Sequence, residues 1–365
     1  MSDRAITIES RAVVVGALAF ILLGCVSLVV FGWNDVPLAG RQSAGEVAAL
    51  GAALLGAGAY IAGQVMSGHA QDAGSPRSGG RIRAALDVGA VALAVAFLAF
   101  LLWLGLFSVF QRAFLGAELY PLAGAALVGA TAALSAYFAF LSGSGMTAYR
   151  LAALLAVFLA SGILTSMLTA ADPNWWIENL SALGTGTNLS GVAFNATLIV
   201  GGVVMTSLSS LATKDQEVTA SSLPPPAGRR VRSLQLGIAL LGVLLACVGL
   251  FPVHQQYVIH VIVASGMLVV FGVLVFNIRK LVPELTVTFG SLGFVFLAII
   301  AVAVVLYFPL AYYNLTVVEL IAAFLIFAWL ILLIRNLAAV EVDRGRLTPD
   351  STGSRCPERV ESPQV

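Results

Sequence analysis

The sequence predicts an all-α fold, a polytopic membrane bundle of about ten transmembrane helices with both termini on the cytoplasmic side. Three observations predict it. Of 365 residues, 59% are hydrophobic and 10% charged, whereas a soluble domain carries about 25% charged residues. Apolar runs recur, each close to the roughly 20 residues that a helix needs to cross the hydrocarbon core. When those runs are threaded alternately across a membrane, the basic residues gather on one side.

Mean hydropathy is +0.98, which places the chain in the membrane class before any motif is sought. The runs are 12–33, 45–66, 85–109, 120–141, 150–170, 190–211, 234–252, 257–278, 286–308 and 314–338. No ten-residue alternation suggests a β-barrel. The first run is longer than a signal-peptide core of roughly 7–15 residues, so it reads as an uncleaved anchor. With the N-terminus inside, Arg41 and Arg112 fall outside and the other 17 of the 19 basic residues fall inside. That skew sets the orientation. The basic residues are 17 Arg against 2 Lys, a bias of high-GC bacterial genomes, so the expectation is a multi-pass protein of a bacterial plasma membrane.

Net charge is +1, so no overall field recruits nucleic acid. Cys25 and Cys247 lie in apolar runs and Cys356 in the polar tail; this excludes a disulfide framework and a zinc-ribbon pattern. Residues 67–83 and 212–233 read as flexible inside linkers. Their clusters Arg81/Arg83 and Arg229/Arg230/Arg232 fix topology, with contact to anionic headgroups as the alternative. Small-residue stripes, Ala48/Ala52/Gly56 and Ala125/Gly129/Ala133, point to internal helix packing rather than to a dimer face. Asp87 lies four residues after Arg83, where the two pair or snorkel.

One external connection breaks the apolar monotony. In residues 171–190, Trp176, Ile177, Leu180 and Leu183 fall at helical spacing, with Glu178, Asn179 and Ser181 opposite. The pattern predicts one short amphipathic helix ended by Gly184 and Gly186. Trp175 and Trp176 are its expected interfacial anchors. Other polar residues reach the same level, so the candidate outer-face site is Asp172, Glu178, Asn179, Asn195, His254, His260 and Glu319. Polar groups at membrane depth are functional candidates by default. Asp172, Glu178, His254 and His260 have metal-binding chemistry, but there is no HExxH and the two histidines are six apart, so no metal is assigned. His260 and Glu319, each one turn below the interface, are expected to pair or to face a vestibule. No phosphate loop, nucleophile elbow or dinucleotide fingerprint is present. No catalytic residue and no cofactor is assigned.

A set of residues carries a family resemblance: Trp176, Ile177, Glu178, Asn179, Leu180, Gly184, Phe194, Asn195, Gly249, Phe251, Pro252 and His260. Together they resemble the uncharacterised prokaryotic family called domain of unknown function 998, over about residues 150–338. More distantly they are similar to the FRAG/DRAM/Sfk-type membrane proteins. Glu178-Asn179 departs from the family, which often has Ser-Asp there. The resemblance implies a six-helix bundle and, by analogy with eukaryotic relatives, a role in lipid handling. It sets a six-helix module (142–340) apart from a four-helix module (12–141); the span positions leave a cytoplasmic N-terminus (1–11), and polar, Pro- and Ser-rich composition predicts a disordered cytoplasmic tail (341–365).

The expected function is a non-enzymatic, lipid-associated or envelope-organising role, with membrane lipids as partners and protein partners left open. A secondary transporter or flippase is one alternative, with Asp87 and Glu319 as proton-coupling carboxylates, although no inverted repeat or mid-membrane charge supports it. An intramembrane lipid hydrolase or transferase using His254 or His260 is the other.

Overall fold

The computed structural model describes residues 3–67, 78–145, 147–221 and 227–347. Every expected apolar run is a helix: α1 Asp3–Phe31, α2 Ala44–Met66, α3 Ser78–Ala113, α4 Pro121–Ser144, α5 Ala148–Leu168, α6 Leu189–Ser221, α7 Ala227–Leu250, α8 Tyr257–Leu281, α9 Val287–Tyr307 and α10 Leu315–Leu347. Each contains a stretch long and apolar enough to cross a membrane. The chain is an integral, multi-pass membrane helix bundle.

Local chemistry starts the helices. Ser43, Thr147 and Thr286 cap α2, α5 and α9 through hydroxyls that accept a backbone N–H three residues on. Pro121 opens α4, where its missing N–H costs nothing. The described strands are two residues each, β1 Val36–Pro37 and β2 Glu118–Leu119, paired antiparallel. They tie the α1–α2 connection to the α3–α4 connection.

Helix α4 packs between α1 and α2, α2 packs on α3, and α3 reaches α5 and α6. Helices α5 to α10 follow one another around a ring, which closes where α10 returns to α5 and α6. The ring is filled, not hollow. Met205, Leu208, Leu234, Ile238, Phe271 and Trp329 are all buried.

Lipid tails are as apolar as leucine, so close backbone approach supplies much of the helix–helix packing. A Cβ on Gly242 of α7 would sit 2.6 Å from the Gly202 carbonyl oxygen of α6. A Cβ on Gly129 of α4 would sit 2.8 Å from the Phe20 carbonyl oxygen of α1. Gly63 of α2 and Gly143 of α4 each press on the other helix's backbone. Ala48, Ala52, Gly56, Ala125 and Gly129 are buried, so the small-residue stripes serve internal contacts.

Three expectations about irregular segments need correction. Helix α3 begins at Ser78, α6 runs to Ser221 and α7 starts at Ala227, so much of the two supposed linkers is helical. Residues 212–221 contain neither Gly nor Pro and include Lys, Gln and Glu, which continue a helix readily once it has started. The remaining linker residues, 68–77 and 222–226, lie outside the described residues. The tail is likewise helical to Leu347, with 348–365 outside the described residues. Asp87 accepts a hydrogen bond from Ser207 Oγ of α6 at 2.9 Å; the Arg83 side chain lies outside the described residues.

Five connections gather at one end of the bundle. The β1–β2 pair joins the first two. Arg112 Nη2 donates to the Leu168 carbonyl at 2.6 Å, joining the end of α3 to the end of α5. The α5–α6 connection is in turn bonded to the α7–α8 and α9–α10 connections.

Candidate functional site

The α5–α6 connection is not one amphipathic helix. It folds as two 3-10 turns, Trp175–Ile177 and Leu180–Gly184. Asn179 between them is extended, with φ −163° and ψ 163°, which breaks the helical run. With three residues per turn, side chains at i and i+3 eclipse, so Leu180 and Leu183 enter the core together. Ile177, expected beside them, is exposed, and Ser181, expected on the wet side, is buried.

Side chains from three helices hold this connection down as a cap. From α10, Glu319 Oε2 accepts the Leu180 N–H at 2.5 Å. Asn314 Nδ2, just before α10, and Thr316 Oγ1 both donate to the Trp176 carbonyl, at 2.6 and 2.8 Å. From α6, Asn195 Nδ2 donates to the Gly184 carbonyl at 2.9 Å. From α8, His260 bridges the cap and the α7–α8 hairpin. Its Nδ1 lies 2.8 Å from the Phe251 carbonyl oxygen and its Nε2 lies 2.9 Å from Ser181 Oγ. A carbonyl only accepts, so Nδ1 carries a proton. In the neutral ring Nε2 then accepts from the Ser181 hydroxyl.

The packing is tight enough to require glycine. A Cβ on Gly184 would sit 2.5 Å from Asn195 Oδ1 and 2.9 Å from the Phe194 ring. One on Gly249 would sit 2.6 Å from the Asn195 carbonyl oxygen. Below the cap, Ser166 of α5 and Ser190 of α6 exchange hydroxyl-to-carbonyl bonds, both at 2.8 Å. Asn179 Oδ1 is buried without a partner.

The structure thus brings together Asn179, Asn195, His260 and Glu319. It does not bring in the other three candidates. Asp172 is exposed and accepts from the Asn174 N–H at 2.8 Å, an Asx turn. Glu178 and His254 are exposed on the surface of the cap and of the hairpin. His260 and Glu319 do not pair with each other: they grip the adjacent residues Ser181 and Leu180. The two tryptophans also separate. Trp175 packs against the core, while Trp176 is 50% exposed. Sequence reasoning missed Ser181 and Thr316. The signal for Ser181 was His260 itself, since a histidine at membrane depth needs a partner within reach.

Chemically, the arrangement holds rather than reacts. Ser181 and His260 have the reach of a nucleophile and its base. Yet they are 8% and 4% exposed, and the group orienting the ring is a backbone carbonyl. Both ring nitrogens are engaged, so neither offers a lone pair to a substrate or metal. Among the described residues, no three His, Cys, Asp or Glu side chains are grouped to hold a metal ion. No protein-family model, no curated protein and no solved structure matches this chain.

Proposed function

We propose that this membrane protein is a non-enzymatic, lipid-associated component of a bacterial plasma membrane, with the cap on its outer face. The carrying observation is the contrast between the network under the cap, buried at its His260–Ser181 centre, and the rim around it. Its polar groups face protein, while its outer rim is apolar and aromatic. Trp176 and Ile177 are exposed, and so are Phe308, Leu310 and Tyr312 on the α9–α10 connection beside them. Amphipathic rings of this kind favour the headgroup level. The excess of basic residues at the other end supports the orientation, and the resemblance to a family with lipid-linked relatives points the same way.

The test is lipid co-purification. Trp176→Ala combined with Tyr312→Ala should lower the lipid retained by the purified chain while leaving its thermal unfolding near that of the parent. Unchanged lipid content would overturn the reading. The transporter alternative rests on Asp87 and Glu319, which already accept from the Ser207 hydroxyl and the Leu180 amide. The hydrolase alternative rests on the Ser181–His260 contact and is tested separately in the Discussion.

A further inference from the structure

At the end of the bundle opposite the cap, α9 and α10 part to leave a groove of about 380 Å³. That lies within the roughly 300–1,000 Å³ of small-ligand sites. An aromatic cluster lies beside it. Trp329 of α10 stacks on Phe289 of α9, with ring centroids 5.6 Å apart and planes at 26°, and meets Phe271 of α8 edge-on at 5.4 Å. The indole is fully buried and its N–H has no partner. Gly293 of α9 makes room for it: a Cβ there would sit 3.0 Å from the indole nitrogen.

The groove has two characters along its length. Phe289, Leu292, Val295 and Leu332 give it an apolar floor, and Thr288, Ser291 and Asn336 give it hydroxyl and amide groups. The Ser291 hydroxyl and one Asn336 N–H are spent on backbone carbonyls of their own helices, at 3.0 and 2.7 Å. Arg335, three residues after Leu332 on α10, is exposed. The bordering segments, residues 279–295 and 332–336, carry Arg279, Lys280 and Arg335 against the single acid Glu284.

We infer that this groove binds one anionic phospholipid from the leaflet at that end. An acyl chain would lie along Phe289, Leu292, Val295 and Leu332, and the phosphate would sit by Arg335 and the Thr288 hydroxyl. Apolar burial supplies the site, and the basic excess selects charge. A zwitterionic lipid fills the same groove without the net attraction. The inference does not depend on the role of the cap, which lies at the other end.

The experiment measures binding of spin-labelled phosphatidylglycerol and spin-labelled phosphatidylcholine to the full chain in phosphatidylcholine nanodiscs. The parent should prefer phosphatidylglycerol several-fold, less so at high salt. Ser291→Phe, which fills the groove, and Arg335→Gln, which removes the charge, should each abolish most of that preference. Arg230→Gln, on α7 away from the groove, should keep it. The inference fails if the parent shows no preference. It fails equally if the preference survives both groove variants, or if Arg230→Gln lowers it as much as they do.

Discussion

His260 of α8 and Ser181 of the cap lie 79 residues apart in sequence, yet His260 Nε2 sits 2.9 Å from Ser181 Oγ. The other ring nitrogen reaches Phe251, so a single side chain fastens two connections to each other. Much of the cap depends on this bridge, and it gives the first prediction.

His260→Ala leaves the Phe251 carbonyl and the Ser181 hydroxyl without their partner. Each buried polar group left unpaired costs about 1–3 kcal/mol. The variant should unfold at a clearly lower temperature in detergent, and amide exchange should speed up across residues 180–184. An unchanged melting temperature and exchange pattern would show that the bridge is not structural.

Glu319 separates charge from hydrogen bonding. Glu319→Gln keeps an acceptor for the Leu180 N–H, whereas Glu319→Leu keeps the bulk and loses the acceptor. Losing that partner costs about 1–3 kcal/mol, so Gln should be close to the parent and Leu should be destabilised, read by thermal unfolding. If Gln is as damaging as Leu, the charge itself matters and the coupling-ion reading of Glu319 regains ground.

Gly184→Ala places a methyl against Asn195 Oδ1. Overpacking of this kind costs about 1–3 kcal/mol. Gly58→Ala on α2, with open space at the Cβ position, is the control and should be neutral or slightly stabilising. Equal effects from the two substitutions would mean that the cap yields more easily than its packing implies.

The Ser181–His260 pair is buried, so a fluorophosphonate probe should not label Ser181 in the membrane-embedded chain. Ser181→Ala should lower stability by about 1–3 kcal/mol through the unpaired ring nitrogen. Labelling of the parent that Ser181→Ala abolishes would establish a reactive serine and favour the hydrolase alternative.

Orientation is read with a membrane-impermeant thiol reagent on intact cells, in a chain whose Cys25, Cys247 and Cys356 are replaced by Ser. His254→Cys, exposed on the α7–α8 hairpin, should be labelled from outside. Arg230→Cys, at the other end, should be labelled only after the cells are opened. The reverse pattern would invert the proposed topology and put the cap inside.

The ten spans were legible because membrane insertion depends on a local quantity, about 20 consecutive apolar residues, and each run carries that information within itself. Some buried small-residue positions were legible for a similar reason, since Ala48, Ala52, Gly56, Ala125 and Gly129 repeat at helical spacing, but the tight contacts of Gly63 with α4 and of Gly202 with Gly242 lie outside those stripes. The level of the candidate site also came from sequence, because Asn195, His260 and Glu319 each lie about one turn inside a predicted span. Partnership did not. An α-helical wheel put Ile177 beside Leu180 and left Ser181 in water, but the chain has 3-10 periodicity there and Asn179 is extended. That choice follows from tertiary bonds, Glu319 to the Leu180 amide, His260 to Ser181 and Asn314 to the Trp176 carbonyl, made by residues 79 to 139 positions away. The sequence by itself determined that the chain has ten helices able to span a membrane and near which helix ends its polar residues lie. Only the tertiary structure decided which of those residues meet, because hydrogen bonding is short-ranged and directional while hydropathy is neither.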